Sequence, residues 1–594
     1  MKKTFLNIGL SLSITFATIS CSNLLDLSPE GSLTEPTTFT NYDNFVTYAW
    51  QFYDAFPGYD ASVPNSEFNA DLFAQANNNA TSDWLWNRMV VPGSSDDYDI
   101  PYTNIRAINI MLDNIDGASQ LSETEKNHIR SIGYFFKSVN YMNLLNRYGE
   151  VIWVENAIGD DDTDILYGTP SSRDEIAQKI LDMLEYAEQH INENGDGKNT
   201  VNKHVVRALL SRFGLREGTW RKYHGLSEST RYLEASVSAA KSLVASFPDI
   251  HPDYDELFNS ESLAPVSSVL LYKQYEPNQI MHVLASRARN SSGRWDLTKS
   301  AADLYLLKDG ETRWTSSMFD GDKNPFDEFR NRDTRLYFTV PPPYKVITAH
   351  PSYQWEHTGN AADREYIDIM AELSVESRKT LPAINWEGLV LRQEPHFVDA
   401  NNGQPFNVSF TGYRFYKFSN KINKIQNQDI NDAPVFRMGE VFVNYAEAMF
   451  ELDKIDQTVI NQTVNKLRAR GGVAALQISN IPDDPKRDQS VDPLLWEIRR
   501  ERAVELMGEG FRFDDLRRWK KMEYAMERKI GRYITKGIDV PENSVIPILG
   551  GAKAGYIAYE NKPSGTFPDA YYLYPIPSAE IVLNPKIKQN PGWQ

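Results

Sequence analysis

Apolar residues in the first half of the chain recur at helical spacing. Ile129, Ile132, Phe136 and Val139 fall on one stripe, and Ser122 followed three positions later by Glu125 is the pattern of a capping box, so a helix is predicted to start there. Ser172 and Glu175 repeat the signature ahead of Ile176, Ile180, Leu184 and Ala187. Another helix is predicted from Val205 to Glu217, where Ala208, Ser211 and Gly214 are small enough to let a neighbouring helix approach closely.

The same mixture of aromatic and alanine positions returns at Tyr232, Ala235 and Ala239 and again at Tyr445, Ala446 and Ala448, without a strict period. It resembles tetratricopeptide helix pairs and predicts a mainly α architecture of stacked helical hairpins. From about Phe247 to Ala433 the helical pattern breaks. Pro, Gly, Asn and rings crowd together, as in Pro341-Pro342-Pro343-Tyr344 and Thr411-Gly412-Tyr413, which is the punctuation of long loops and short strands. The expected organisation is therefore a leader at 1–20, a helical region at 21–250, a loop-rich ligand-binding lobe with short strands at 251–433 and a second helical region at 434–594, all in one compact unit.

The N-terminus changes where this unit should sit. Lys2 and Lys3 precede an apolar run from Phe5 to Ile19, and Thr18-Ile19-Ser20-Cys21 follows. That is a secretory signal ending in a lipobox-like cysteine, so Cys21 is expected to carry lipid and anchor the mature chain. The run is too short to span a bilayer as a helix, for which about 20 residues are needed. Cys21 is the single cysteine of the 594 residues, which leaves the mature chain no disulfide, zinc cluster or catalytic thiol. The net charge of -18 argues against nucleic acid as a partner. Aromatic residues make up 12% of the chain, including 12 Trp and 31 Tyr. Sugars stack their C–H faces on flat rings, so this excess in an acidic protein leans toward carbohydrate, although most of the rings must fill the core.

Candidate catalytic groups are few. Glu501, Glu505 and Glu509 stand at i, i+4 and i+8 and could be mistaken for the acids of a glycosidase. Arg499, Arg500, Arg502, Arg512 and Arg517 crowd the same segment, so salt-bridging is the preferred reading. No His-Glu-x-x-His, Gly-x-Ser-x-Gly or phosphate-cradling glycine loop is present, and the nine His are scattered. Asp160, Asp161, Asp162 and Asp164 could supply oxygen ligands to a structural calcium, but a distal Glu is missing and a solvated turn is favoured. No other cofactor is expected. A ring platform is suggested by Asp83-Trp84-Leu85-Trp86-Asn87-Arg88, which alternates rings with hydrogen-bonding groups.

The C-terminal third carries a specific likeness. Pro434-Val435-Phe436-Arg437 leads into Asn444-Tyr445-Ala446-Glu447-Ala448. Then come Leu467-Arg468-Ala469-Arg470, Arg500-Glu501-Arg502, Glu509-Gly510-Phe511-Arg512, Asp515-Leu516-Arg517-Arg518-Trp519, Tyr574-Pro575-Ile576-Pro577 and Asn590-Pro591-Gly592-Trp593. Upstream, Tyr148-Gly149-Glu150, Glu217-Gly218-Thr219-Trp220 and Asn331-Arg332-Asp333 extend it over nearly the whole chain. This order and spacing resembles the SusD/RagB family, with Met438-Gly439 and Ser131-Ile132-Gly133 as departures from its packing pattern. The resemblance implies a surface-exposed outer-membrane lipoprotein without catalysis. It would capture oligosaccharide or polysaccharide and close as a lid over a SusC-like TonB-dependent transporter. It also implies that Asp83, Trp84, Trp86, Asn87 and Arg88 form the binding loop, with Arg294, Trp295 and Trp314 completing the cleft and Trp355 and Trp386 as further rings. A peptide-capturing RagB-like subunit is the alternative, and a surface glycosidase a remote one.

Overall fold

The computed structural model describes residues 38–75, 82–159, 161–289, 295–349, 353–375, 378–385, 387–390, 409–558 and 560–593. Its helices of seven residues or more are α1 (Tyr42–Ala49), α2 (Asp96–Asn114), α3 (Glu123–Tyr148), α4 (Arg173–His190), α5 (Lys203–His224), α6 (Ser229–Ser246), α7 (Ala361–Leu373), α8 (Met438–Glu451), α9 (Val464–Arg470), α10 (Pro493–Glu505) and α11 (Arg512–Arg518). The capping box forms in full: Glu125 N donates to Ser122 Oγ, and Ser122 N donates to the Glu125 carboxylate at 2.8 Å. At Ser172 one half forms, with Glu175 N donating to its hydroxyl. Both predicted stripes are buried throughout.

Helix α5 runs well beyond the predicted Val205–Glu217, from an Asn202 cap to Gly225 in the left-handed region. The small residues act as expected. A Cβ at Gly214 would lie 2.5 Å from the Tyr232 carbonyl, and Ser236 Oγ donates to Ser211 O at 2.8 Å, so α5 and α6 meet backbone to backbone. Successive helices pack in a stack from α2 through α6, and α8 closes it by packing on α5, α6 and α10. The mainly α, stacked-hairpin expectation is what the structure shows.

Among the described residues, four two-stranded antiparallel ladders accompany the helices: β1 (Phe73–Gln75) with β3 (Trp295–Leu297), β2 (Val269–Lys273) with β6 (Ala433–Arg437), β4 (Val346–Thr348) with β5 (Trp355–His357), and β7 (Tyr533–Thr535) with β8 (Ala554–Tyr556). Strand β6 runs directly into α8, tying the lobe to the helical stack. The lobe has its own core around Trp295, Tyr366 and Phe415, and it recruits Phe68, Leu72, Phe73, Val504 and Met507 from outside residues 251–433. Punctuation that signals loops is folded inward here, since Tyr344 and Tyr413 are both buried. A third cluster gathers Trp84, Trp220, Phe513, Trp519, Tyr571 and Tyr572.

Candidate functional site

The three carboxylates near α10 join one charge network, Glu501 and Glu505 buried and Glu509 partly so. Arg335 bonds Glu501 at 2.6 Å and Glu505 at 3.1 Å. Arg437 bridges Glu505 and Glu509, Arg470 adds to Glu505, and Lys417 bonds Glu509 at 2.6 Å. Burial pushes the Glu505 carboxyl up, but Arg470, Arg437 and Arg335 overcome it and hold the group well below the usual carboxylate range. Salt-bridging is thus the right account of these acids, with different partners from those expected. The arginines of the same segment pair elsewhere: Arg500 with Asp484 and Glu497, Arg502 with Asp515, Arg512 with Asp71, and Arg517 with Asp514. A glycosidase pair must flank a sugar and needs one acid held protonated. Glu505 is locked as a buried anion among guanidinium groups and offers neither.

The loop at 82–88 is tightly turned. Ser82 Oγ donates to Asn69 Oδ1 at 2.8 Å, Trp86 N donates to Ser82 O at 3.0 Å, and Asn87 adopts a φ of 52°. This turn sends its two tryptophans to different environments. Trp84 is 5% exposed, with ring centroids of Tyr574, Tyr571, Phe513 and Trp593 at 4.5, 5.4, 5.8 and 6.2 Å. Its faces are covered, which corrects its assignment as a sugar platform. Trp86 is half-buried, and its indole N–H finds no acceptor among the described residues. Asp83, Asn87 and Arg88 are exposed, and Arg88 pairs with Asp83 at 3.0 Å.

Trp295 is likewise core. It is 3% exposed in β3, and its Nε1 donates to Asn65 Oδ1 at 2.8 Å, so it presents no open ring face. Its neighbour Asp296 accepts from Ser409 Oγ and from the Phe410 and Thr411 amides, and burial pushes its carboxyl up to about 6. Arg294 and Trp386 lie outside the described residues, as do Cys21 and Asp160. Trp355 is exposed on β5 against the edge of His357. Asp162 accepts from Gly159 N, and Asp161, Asp162 and Asp164 are exposed. Among the described residues no three acids, His or Cys converge as metal ligands.

Trp314, like Trp355, is a predicted ring that the structure presents to solvent, at 43% exposure. It does not stand alone. The buried Arg313 guanidinium lies 4.3 Å from the Trp314 ring and 4.8 Å from Phe319. It is fixed there by Asp322 at 2.6 Å and Asp303 at 3.1 Å. Asp322 also accepts from the Tyr556 hydroxyl at 2.8 Å. Tyr556 faces Tyr533 edge-on across the β7–β8 ladder at 5.5 Å. Lys486 approaches the Trp314 ring at 5.4 Å and Lys323 approaches Tyr533 at 5.8 Å. Phe319, Tyr533 and Tyr556 were not foreseen, because Tyr533 and Tyr556 lie more than 200 positions downstream of Arg313 and meet it through Asp322 and through the Tyr556 hydroxyl itself. The surface is thus a set of half-open rings with hydroxyl and ammonium groups between them, held by buried ion pairs. Such a surface can stack on a sugar and satisfy its hydroxyls without doing chemistry on it.

Comparison with known proteins agrees with this architecture. The model of the SusD family matches residues 271–593, more than half of the chain. The chain belongs to the SusD family. A second family model, described as "Starch-binding associating with outer membrane", matches residues 25–215. SusD-like protein P25 of Formosa agariphila is 24% identical over 278 residues, covering 43% of this chain and 50% of P25, so the match spans about half of that relative's length. A SusD-like protein of Bacteroides fragilis superposes with a TM-score of 0.67 at 18% identity, covering 94% of this chain and 98% of its own. A SusD-like carbohydrate-binding protein of the same organism superposes with a TM-score of 0.64 at 18% identity, covering 93% and 100%. At these identities the superpositions establish the SusD fold.

Proposed function

We propose that this SusD-family chain is a non-catalytic glycan-capture protein of the outer-membrane surface, anchored by lipid on Cys21. In this reading it closes over a SusC-like TonB-dependent transporter and delivers oligosaccharide to it. The observation that carries the reading is Trp314, an exposed indole backed by a buried guanidinium that two carboxylates hold in place. A ring fixed this way loses little freedom on stacking against a sugar, which is what a capture surface requires. Trp86 and the exposed polar groups of its loop are a second candidate surface of the same kind. The family description that joins starch binding to the outer membrane supports the compartment and the ligand class. The reading needs no metal or other cofactor.

The test is calorimetric titration of the mature chain, with Cys21 removed, against neutral plant, microbial and host polysaccharides. Saturable binding without release of product, reduced in Trp314→Ala and in Trp86→Ala, is expected. Binding of peptides with silence across the polysaccharides would replace the glycan reading with peptide capture, and cleavage of any saccharide would overturn the non-catalytic one.

A further inference from the structure

A large groove lies on the helical stack, built from segments other than those that carry Trp86 and Trp314. It holds about 510 Å³ between α2, the segment after α3, the turn Thr163–Leu166 and the C-terminal helical turn Ser578–Leu583. That size falls in the range of ligand-binding clefts. Its walls are tied together. Tyr102 Oη donates to Ile152 O at 2.8 Å, Arg106 Nε to Ile158 O at 3.3 Å, and Asn584 Nδ2 to Gly168 O at 2.8 Å, while Ser578 N donates to Pro92 O at 2.8 Å.

The lining is mostly aliphatic and aromatic, including Ile105, Ile152, Ile158, Ile165 and Ile587. Leu166, Tyr167 and Leu583 line the groove and stand exposed, Leu583 at 63%. An apolar trough with an apolar lip is costly to leave in water and marks an interaction surface. The rim is acidic. Asp99, exposed on the first turn of α2, and Glu580 opposite line it, against one cation, Arg106, and the neighbouring segment adds exposed Asp161, Asp162 and Asp164. Asp99 and Glu580 line the same groove and repel each other: burial first and then Asp99 push the Glu580 carboxyl up.

We infer that this groove docks a polypeptide segment of a partner protein, one that presents apolar side chains flanked by lysine or arginine. The apolar residues fill the trough, and the flanking cations pair with Asp99 and Glu580, which Arg106 alone opposes in the lining. A glycan would find few polar partners on the aliphatic floor. The inference is independent of the glycan reading, because no residue of the Trp314 or Trp86 surfaces lines the groove.

The test uses the mature chain and two fluorescein-labelled peptides with the same leucine–phenylalanine core, one ending in lysines on both sides and one in glutamates. Fluorescence anisotropy is expected to show saturable binding of the lysine peptide, weakened by salt, and binding of the glutamate peptide at least about tenfold weaker. The deciding variant is Leu583→Asp. It adds a negative charge, so attraction of a basic peptide to an acidic surface alone predicts tighter binding, whereas seating in the trough predicts a loss of about tenfold. Because Leu583 is exposed, thermal unfolding should not move, and glycan titration should be unchanged. Equal binding of both peptides, or a Leu583→Asp variant that binds the lysine peptide as well as the parent chain, overturns the inference.

Discussion

Replacing Trp84 and Trp314 separately by alanine should give opposite phenotypes, although both rings are bracketed by polar residues in the sequence. Trp84 is 5% exposed and wedged among Phe513, Tyr571, Tyr574 and Trp593. Truncating a buried tryptophan removes its transfer free energy and leaves a cavity, at a cost of about 3–5 kcal/mol. The loss of four aromatic contacts, each worth about 0.5–1.5 kcal/mol, places this site toward the upper end. Trp314 is 43% exposed, and its principal partner is the Arg313 guanidinium, a contact worth about 1 kcal/mol or less at an exposed site. Urea unfolding followed by circular dichroism separates the two. With a slope of about 3 kcal/mol per M, Trp84→Ala should lower the midpoint by about 1 M or more, and Trp314→Ala by less than about 0.4 M. Calorimetry on the folded proteins should then show glycan binding retained in Trp84→Ala and reduced in Trp314→Ala. A Trp84→Ala protein that unfolds at the parental midpoint yet no longer binds glycan would refute the assignment of its ring to the core.

Three further outcomes follow from the same geometry. Asp322→Asn removes one of the two carboxylates that hold Arg313 and should loosen the guanidinium beneath Trp314, leaving Asp303 as its anionic partner, and lower glycan affinity several-fold. Combined with Trp314→Ala it should cost little more than Trp314→Ala alone, a non-additivity that a double-mutant cycle measures by titration. At Gly439 an added Cβ would collide with both the Arg437 guanidinium and the Glu505 carboxylate. Gly439→Ala should therefore disrupt a buried ion pair and lower stability by about 3 kcal/mol in urea unfolding, without altering glycan binding in the folded fraction. Glu67 is buried, and burial pushes its carboxyl up to about 8 although Gly510 N donates to it. A carboxyl raised above its unfolded value stabilises fully below about pH 4.5, and that contribution is lost as the pH climbs through 8. Glu67→Gln keeps an acceptor for Gly510 N and should flatten the fall in stability between pH 5 and pH 8, as read from thermal unfolding across that range.

What could be read from the sequence divides according to how local the determining interactions are. Helix starts and buried stripes depend on neighbours within a turn or two, so Ser122, Ser172 and the stripes behind them were legible, and with them the stacked-hairpin fold. The charge network was legible only in kind. Glu505 is neutralised by Arg335, Arg437 and Arg470, and the Arg335 pairing joins positions 170 residues apart. Counting charges in one segment can say that acids will be paired, but not by which bases.

Rings are the hardest case. A tryptophan in a polar loop has the same local pattern whether it faces outward or inward, and the residues that cover Trp84 lie more than 400 positions downstream. The turn made by Ser82 and Asn87 bends the chain so that Trp84 is covered while Trp86 stays half open, a difference of two residues that composition cannot register. Trp314 is distinguished by what lies beneath it. The Arg313 guanidinium beneath it is buried and held by buried Asp322 and half-buried Asp303, and the indole lies over it at the surface. The same Asp322 that holds Arg313 also orients Tyr556 from a distant hairpin. An open ring face is therefore better sought where a ring overlies a fixed, ion-paired guanidinium than at clusters of tryptophan in the sequence, because a charge that keeps its partners does not give way to the ring.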